Sequence, residues 1–65
     1  MTTLYVTESG SFIKRKGGHV IVGRNHEVLF EVPFESIDDV TVFDSVHISS
    51  SLITDFISNG IPVTW

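Results

Sequence analysis

Sixty-five residues with a net charge of −4 allow one small domain. With no cysteine the chain has neither disulfides nor thiolate metal centres, and any metal would have to be held by histidine and carboxylate alone. No apolar run approaches the roughly 18 residues of a membrane span and the N-terminus lacks a basic-then-apolar export pattern, so a soluble, cytoplasmic protein with no membrane partner is expected.

The charge is unevenly placed. All four bases, Lys14, Arg15, Lys16 and Arg24, fall within residues 1–24 beside one acid, Glu8, for a local charge of +3; residues 25–65 hold seven acids and no base. A chain of this size buries only about 60% of its unfolded surface. It is therefore expected to lean on a second copy or on more of its own polypeptide.

In chain order, Leu4-Tyr5-Val6 is β-branched and aromatic and Glu8-Ser9-Gly10-Ser11 is a turn, which predicts a first strand from Thr3 to Thr7. Phe12 to Lys16 reads as a second strand closed by Gly17-Gly18, and tight turns on both sides predict an antiparallel meander. His19 to Gly23 is the third, with Val20 and Val22 on one face and Ile21 on the other; Arg24-Asn25-His26 turns the hairpin, where Asn25 tolerates positive φ. Val28, Phe30, Val32 and Phe34 mark one face of a fourth strand, with Glu27, Leu29 and Glu31 on its wetter side. Pro33 lacks an amide donor and belongs at an edge or a strand's end. Glu35 to Asp39 is expected to be a polar connection of about one helical turn. Val40, Val42, Val46 and Ile48 then share a parity, as two short half-buried strands joined at Asp44-Ser45 would.

The period changes at Leu52. Leu52, Ile53, Phe56 and Ile57 recur at helical spacing, predicting a stripe that faces the same core. Ser49, Ser50 and Ser51 can each accept from an orphan amide at the helix start. Asn59-Gly60 supplies a left-handed exit that brings Ile61 to Phe56, and Pro62 stops further helix. Ile61, Val63 and Trp65 then share one face of a final strand. The expected fold class is mainly β (α+β): a small antiparallel meander or sandwich with one short helix near the C-terminus. After Trp65 there is no turn residue or polar tail, so these residues are expected to be the front of a longer chain.

Catalytic chemistry is thin. His19, His26 and His47 have no partner at a diagnostic metal or acid–base spacing, and a turn or strand-surface role suits each better than a ligand role. Asp38, Asp39 and Asp44 could gather around a divalent cation, but acids so placed more often form turns. Ser49-Ser50-Ser51 has no base positioned to make a nucleophile. The cluster Lys14, Arg15, Lys16 and Arg24 is the functional candidate: four cations at one end of a hairpin could meet nucleic-acid phosphates without sequence preference, or could serve only as a solvated strand edge that resists aggregation. Tyr5, Ile13, Ile21 and Leu29, on second faces, are candidates for a dimer interface or for a second core layer.

The run from Val40 to Trp65 also resembles a known family. Phe43, Val46, Ile48, Ser49, Gly60, Ile61, Pro62 and Val63 match an apolar strand, a Phe-Gly-x-Val-x-Ile-Ser/Thr turn, a short helix and a Gly-Ile-Pro-Val strand, with Asp44 and Ser45 replacing the usual glycine. This order is similar to the N-terminal β domain of the CRISPR-associated integrase and endonuclease, the adaptation protein often called Cas-one. Leu4-Tyr5-Val6 and Val28 to Pro33 also lie where that family has strands.

The resemblance implies a parent that inserts DNA fragments into CRISPR arrays in antiviral defence. The parent would act as a homodimer on double-stranded DNA with a small ferredoxin-like partner subunit. It places catalysis, and the Mg²⁺ or Mn²⁺ it needs, in a helical C-terminal domain whose ligand motif His19, His26 and His47 do not match. These residues are then expected to bind no cofactor, to be catalytically silent, and to supply dimer interface and part of a DNA-bearing surface. The alternative is a stand-alone β module that binds another protein.

Overall fold

The computed structural model describes residues 2–43 and 45–65. Two sheets enclose the core. The first, sheet A, has the order β1-β5-β7, formed by β1 (Thr2–Val6), β5 (Ile37–Val42) and β7 (Val63–Thr64), all parallel. The second, sheet B, has the order β4-β3-β2-β6: β2 (Phe12–Lys16), β3 (His19–Arg24) and β4 (Glu27–Pro33) are antiparallel neighbours, and the two-residue β6 (His47–Ile48) joins β2 in parallel. A nine-residue helix, α1 (Ser50–Ser58), follows β6.

The mainly β class with one short helix near the C-terminus stands, and the antiparallel meander is β2-β3-β4. β1 departs from it. Rather than pairing with β2, it crosses to sheet A and lies along β5, Leu4 beside Val40 and Val6 beside Val42. Alternation explains why: Leu4 and Val6 are both almost fully buried, and so are Val40 and Val42, so pairing them builds one continuous apolar face. β5 also starts earlier than expected. A single 3-10 turn, Phe34–Ser36, replaces the polar connection, and Ile37, Val40 and Val42 point inward.

The core joins Leu4, Val6 and Val40 of sheet A to Ile13, Val20 and Val22 of sheet B, with Leu52 and Phe56 of α1 inserted between them. Phe34 stacks on Phe56, ring centroids 5.5 Å apart. α1 ends as the local sequence requires. Gly60 adopts φ +70, its amide donates to the Ile57 carbonyl at 3.1 Å, and the Ile61 amide donates to the Phe56 carbonyl at 2.9 Å, a Schellman ending that sets Ile61 on the core. The helix start differs from expectation: Ser49 is the N-cap but its hydroxyl makes no capping bond, and only its carbonyl takes up amides, those of Leu52 and Ile53. Ile57 also differs, because the core takes Leu52 and Phe56 and leaves it 68% exposed.

Candidate nucleic-acid interface

Register decides which side chains of sheet B share a face. Ile13 opposes Val22 and Arg15 opposes Val20, so these four point toward the core side. Phe12 with Gly23, Lys14 with Ile21 and Lys16 with His19 point outward; β4 extends this outer face with Glu31 and Pro33, and β6 with His47 beside Phe12. Only Lys14 and Lys16 of the four expected cations therefore lie together. The Lys14 ammonium sits 5.4 Å from the centroid of the Phe12 ring, itself on that face.

The other two bases are engaged elsewhere. Arg15 projects from the core side, its guanidinium 4.2 Å from the centroid of the Phe34 ring; its Nη1 donates to Asp55 Oδ2 on α1 at 3.1 Å and its Nε to the Gly17 carbonyl at 2.9 Å. It fastens the helix to sheet B. Arg24, beyond the end of the outer face, donates to Glu8 Oε2 at 2.7 Å across the loop after β1. Alternation along β2 accounts for Arg15, which has the opposite parity to Lys14 and Lys16.

Two histidines also reach this face. His19 stands opposite Lys16 across the Gly17-Gly18 turn, and His47 opposite Phe12; both are exposed, and neither ring has a hydrogen-bond partner among the described residues. Cross-strand parity alone would have placed His19 there. His47 arrives through a parallel pairing that no local pattern announces. His26, with φ +66 in the β3–β4 turn, is a turn residue.

The four residues considered for a dimer contact separate in the same way. Ile13 is 1% exposed within the core and Ile21, paired in register with Lys14 and Glu31, is 6% exposed, so neither offers a surface. Tyr5 and Leu29 remain open, on β1 and on the free edge strand β4.

No group of three or more histidine or acidic side chains among the described residues could hold a metal ion. Asp38 accepts from the Thr2 amide at 2.8 Å and Asp39 lies half-buried on β5, while the third acid considered for a cation, Asp44, lies outside the described residues. Two buried side-chain oxygens, Ser11 Oγ and Asp39 Oδ1, have no partner among the described residues. No helix of the described residues is long and apolar enough to cross a membrane.

A comparison with curated proteins gives no match. Among solved structures, a chain of a partial Cas6-RT-Cas1–Cas2 complex superposes with a TM-score of 0.78 at 16% identity, over 95% of this chain and 19% of that one. This chain therefore spans about a fifth of that neighbour, and the likeness is one of fold. The family model described as CRISPR associated protein Cas1 matches residues 4–65, nearly the entire length, and by that match the chain belongs to the Cas1 family.

Proposed function

We propose that these residues serve CRISPR adaptation in the cytoplasm as a non-catalytic scaffold, the N-terminal β domain of a larger integrase, bearing duplex DNA on the outer face of sheet B and meeting a second copy of the chain. Family membership over residues 4–65 supports the adaptation role. The partner subunit that the neighbour's description names, Cas2, is the expected companion. Mg²⁺ or Mn²⁺ and the cutting and joining of DNA belong to a catalytic domain elsewhere in such a protein, so this chain alone should leave DNA intact in Mn²⁺.

The observation that carries the DNA reading is the separation of the bases. Lys14 and Lys16 stand two residues apart on one exposed face with His19 beside them, and Lys16 and His19 have no hydrogen-bond or ion-pair partner among the described residues. Arg15 and Arg24 already have carboxylates. Phosphate contacts of this kind release counterions and carry no base information. Replacing Lys14 and Lys16 together by alanine should weaken duplex binding and reduce the slope of log affinity against log salt by roughly 1.8, two phosphate contacts at about 0.9 each. Arg15→Ala and Arg24→Ala should each leave that slope in place. A slope unchanged in the double variant rejects the face.

For the second copy we take the edge strand β4, whose outer side has no strand neighbour and whose Val28, Leu29 and Phe30 are all exposed; β1, carrying Tyr5, is an edge of sheet A. Leu29 is the residue of the original four that lies on it.

A further inference from the structure

The exit of α1 carries a reactive pair. Asn59-Gly60 is the single Asn-Gly step of the chain, and Asn59 and Asn25 are its only side-chain amides, because there is no glutamine. Both Asn59 and Gly60 are exposed, so water reaches them freely. Where glycine follows asparagine, the next backbone nitrogen can attack the carboxamide carbon, since no Cβ on the glycine crowds the approach.

The fold holds the two reacting groups apart. The Asn59 carboxamide is turned back along the helix, its Nδ2 donating to the Asp55 carbonyl at 2.8 Å. The Gly60 amide keeps its proton on the Ile57 carbonyl at 3.1 Å, and the Ile61 amide donates to the Phe56 carbonyl at 2.9 Å. Bringing the Gly60 nitrogen onto Asn59 Cγ requires the carboxamide to leave Asp55 and the Gly60 amide to leave Ile57, so the helix end must open first. We propose that Asn59 is a self-modification site that the Schellman ending keeps closed: its amide survives in the folded chain and is lost when the end of α1 opens.

The step balances with water as the only co-reactant. The Gly60 nitrogen gives its proton to solvent and bonds to Asn59 Cγ, the Cγ–Nδ2 bond breaks, and Nδ2 takes a proton and leaves as ammonia. Water then opens the resulting five-membered imide at either carbonyl, giving aspartate or isoaspartate at position 59. Isoaspartate routes the main chain through Cβ and Cγ, so the bonds from Gly60 to Ile57 and from Ile61 to Phe56 lose their register and Ile61 loses its seat on the core. Aspartate sets a carboxylate against the Asp55 carbonyl at the helix C-terminus, where the helix dipole disfavours negative charge. Either product loosens the same ending, and the loss of ammonia makes the change irreversible.

The test is to incubate the full chain in mildly alkaline buffer at guanidinium concentrations that span its melt, reading modification at position 59 by peptide mapping and mass spectrometry. The rate should rise at least about tenfold from the folded to the unfolded baseline, following the fraction of chains in which the helix end is open. In the unfolded chain Gly60→Ala, whose methyl crowds the attacking nitrogen, should slow the reaction several-fold, a comparison in which folding plays no part. The isoaspartate form, separated from its parent, should melt at lower guanidinium. A rate that stays flat across the melt, an unfolded rate unchanged by Gly60→Ala, or an isoaspartate form as stable as its parent would each overturn the proposal. None of these readouts involves nucleic acid, so they stand or fall apart from the DNA test.

Discussion

At Gly23 a missing side chain decides how sheet B packs. Gly23 opposes Phe12, and a Cβ built there would overlap the Phe12 ring and come within 2.5 Å of the Glu27 carbonyl oxygen. The ring thus covers a bare stretch of β3 at the point where the register with β4 shifts. Gly23→Ala should cost about 2 kcal/mol or more, the upper part of the range for overpacking, because one of the opposing atoms is backbone. Gly18→Ala, where nothing lies within 4 Å of the added carbon, is the control and should stay near neutral. Urea melts of the two variants check this, and equal stabilities would remove the argument. The sequence shows Gly23 only as the end of an apolar run; the close approach comes from a strand pairing that a linear reading does not contain. Arg15 makes the same point for charge. Its sequence neighbours suggest one basic cluster, yet a single step of alternation sends it to Phe34 and Asp55, so Arg15→Ala should be read out as lost stability rather than lost DNA affinity. A pair this exposed contributes at most about 1 kcal/mol, and the lost packing on Phe34 adds to it.

For whole elements, legibility follows the range of the forces involved. The end of α1 is fixed by six consecutive residues, and Asn59-Gly60-Ile61-Pro62 announces it because each demand, a left-handed residue, an apolar contact and a stop, is met locally. Gly60→Ala should therefore destabilise by about 1 kcal/mol through backbone strain alone, since φ is +70 and open space surrounds the position. The start of the helix was legible in place but not in mechanism. Three serines offered three hydroxyl caps, and the structure uses none at the N-cap, where the Ser49 amide instead donates to the Ile13 carbonyl at 3.1 Å and ties the helix to β2. Ser49→Ala should then cost less than about 0.5 kcal/mol, against the roughly 1 kcal/mol of a side-chain cap. A thermal melt showing a loss near 1 kcal/mol would mean that the hydroxyl does cap in solution. The early start of β5 at Ile37 was hidden because Glu35 to Asp39 is otherwise polar, and Ile37 is buried in a core that also draws on residues far along the chain, Leu52 and Phe56 among them.

Across the whole molecule, parity told which faces are apolar but not which strands would meet. β1 pairs with β5 more than thirty positions along the chain, and β2 with β6 at a similar distance, both in parallel and therefore without a connecting turn to signal them. Gathering such contacts leaves two sheets and one helix around a small core, with a run of apolar side chains outside it on the free edge β4. Glu27, Glu31, Pro33 and the register shift near Leu29 guard that edge against indiscriminate pairing, but Val28, Leu29 and Phe30 remain in water. A domain this small has little stability to spare, and any association that covers those residues adds to the stability of the folded state by mass action. The guanidinium midpoint of the chain should accordingly rise with its concentration and stay below about 5 M, the level at which a protein counts as hyperstable. Leu29→Lys, which places a charge on the open strand without touching the core, should abolish the concentration dependence while leaving the dilute-limit midpoint almost unchanged. A midpoint above that level, independent of concentration in both chains, would mean that the fold closes its own surface and needs no second copy.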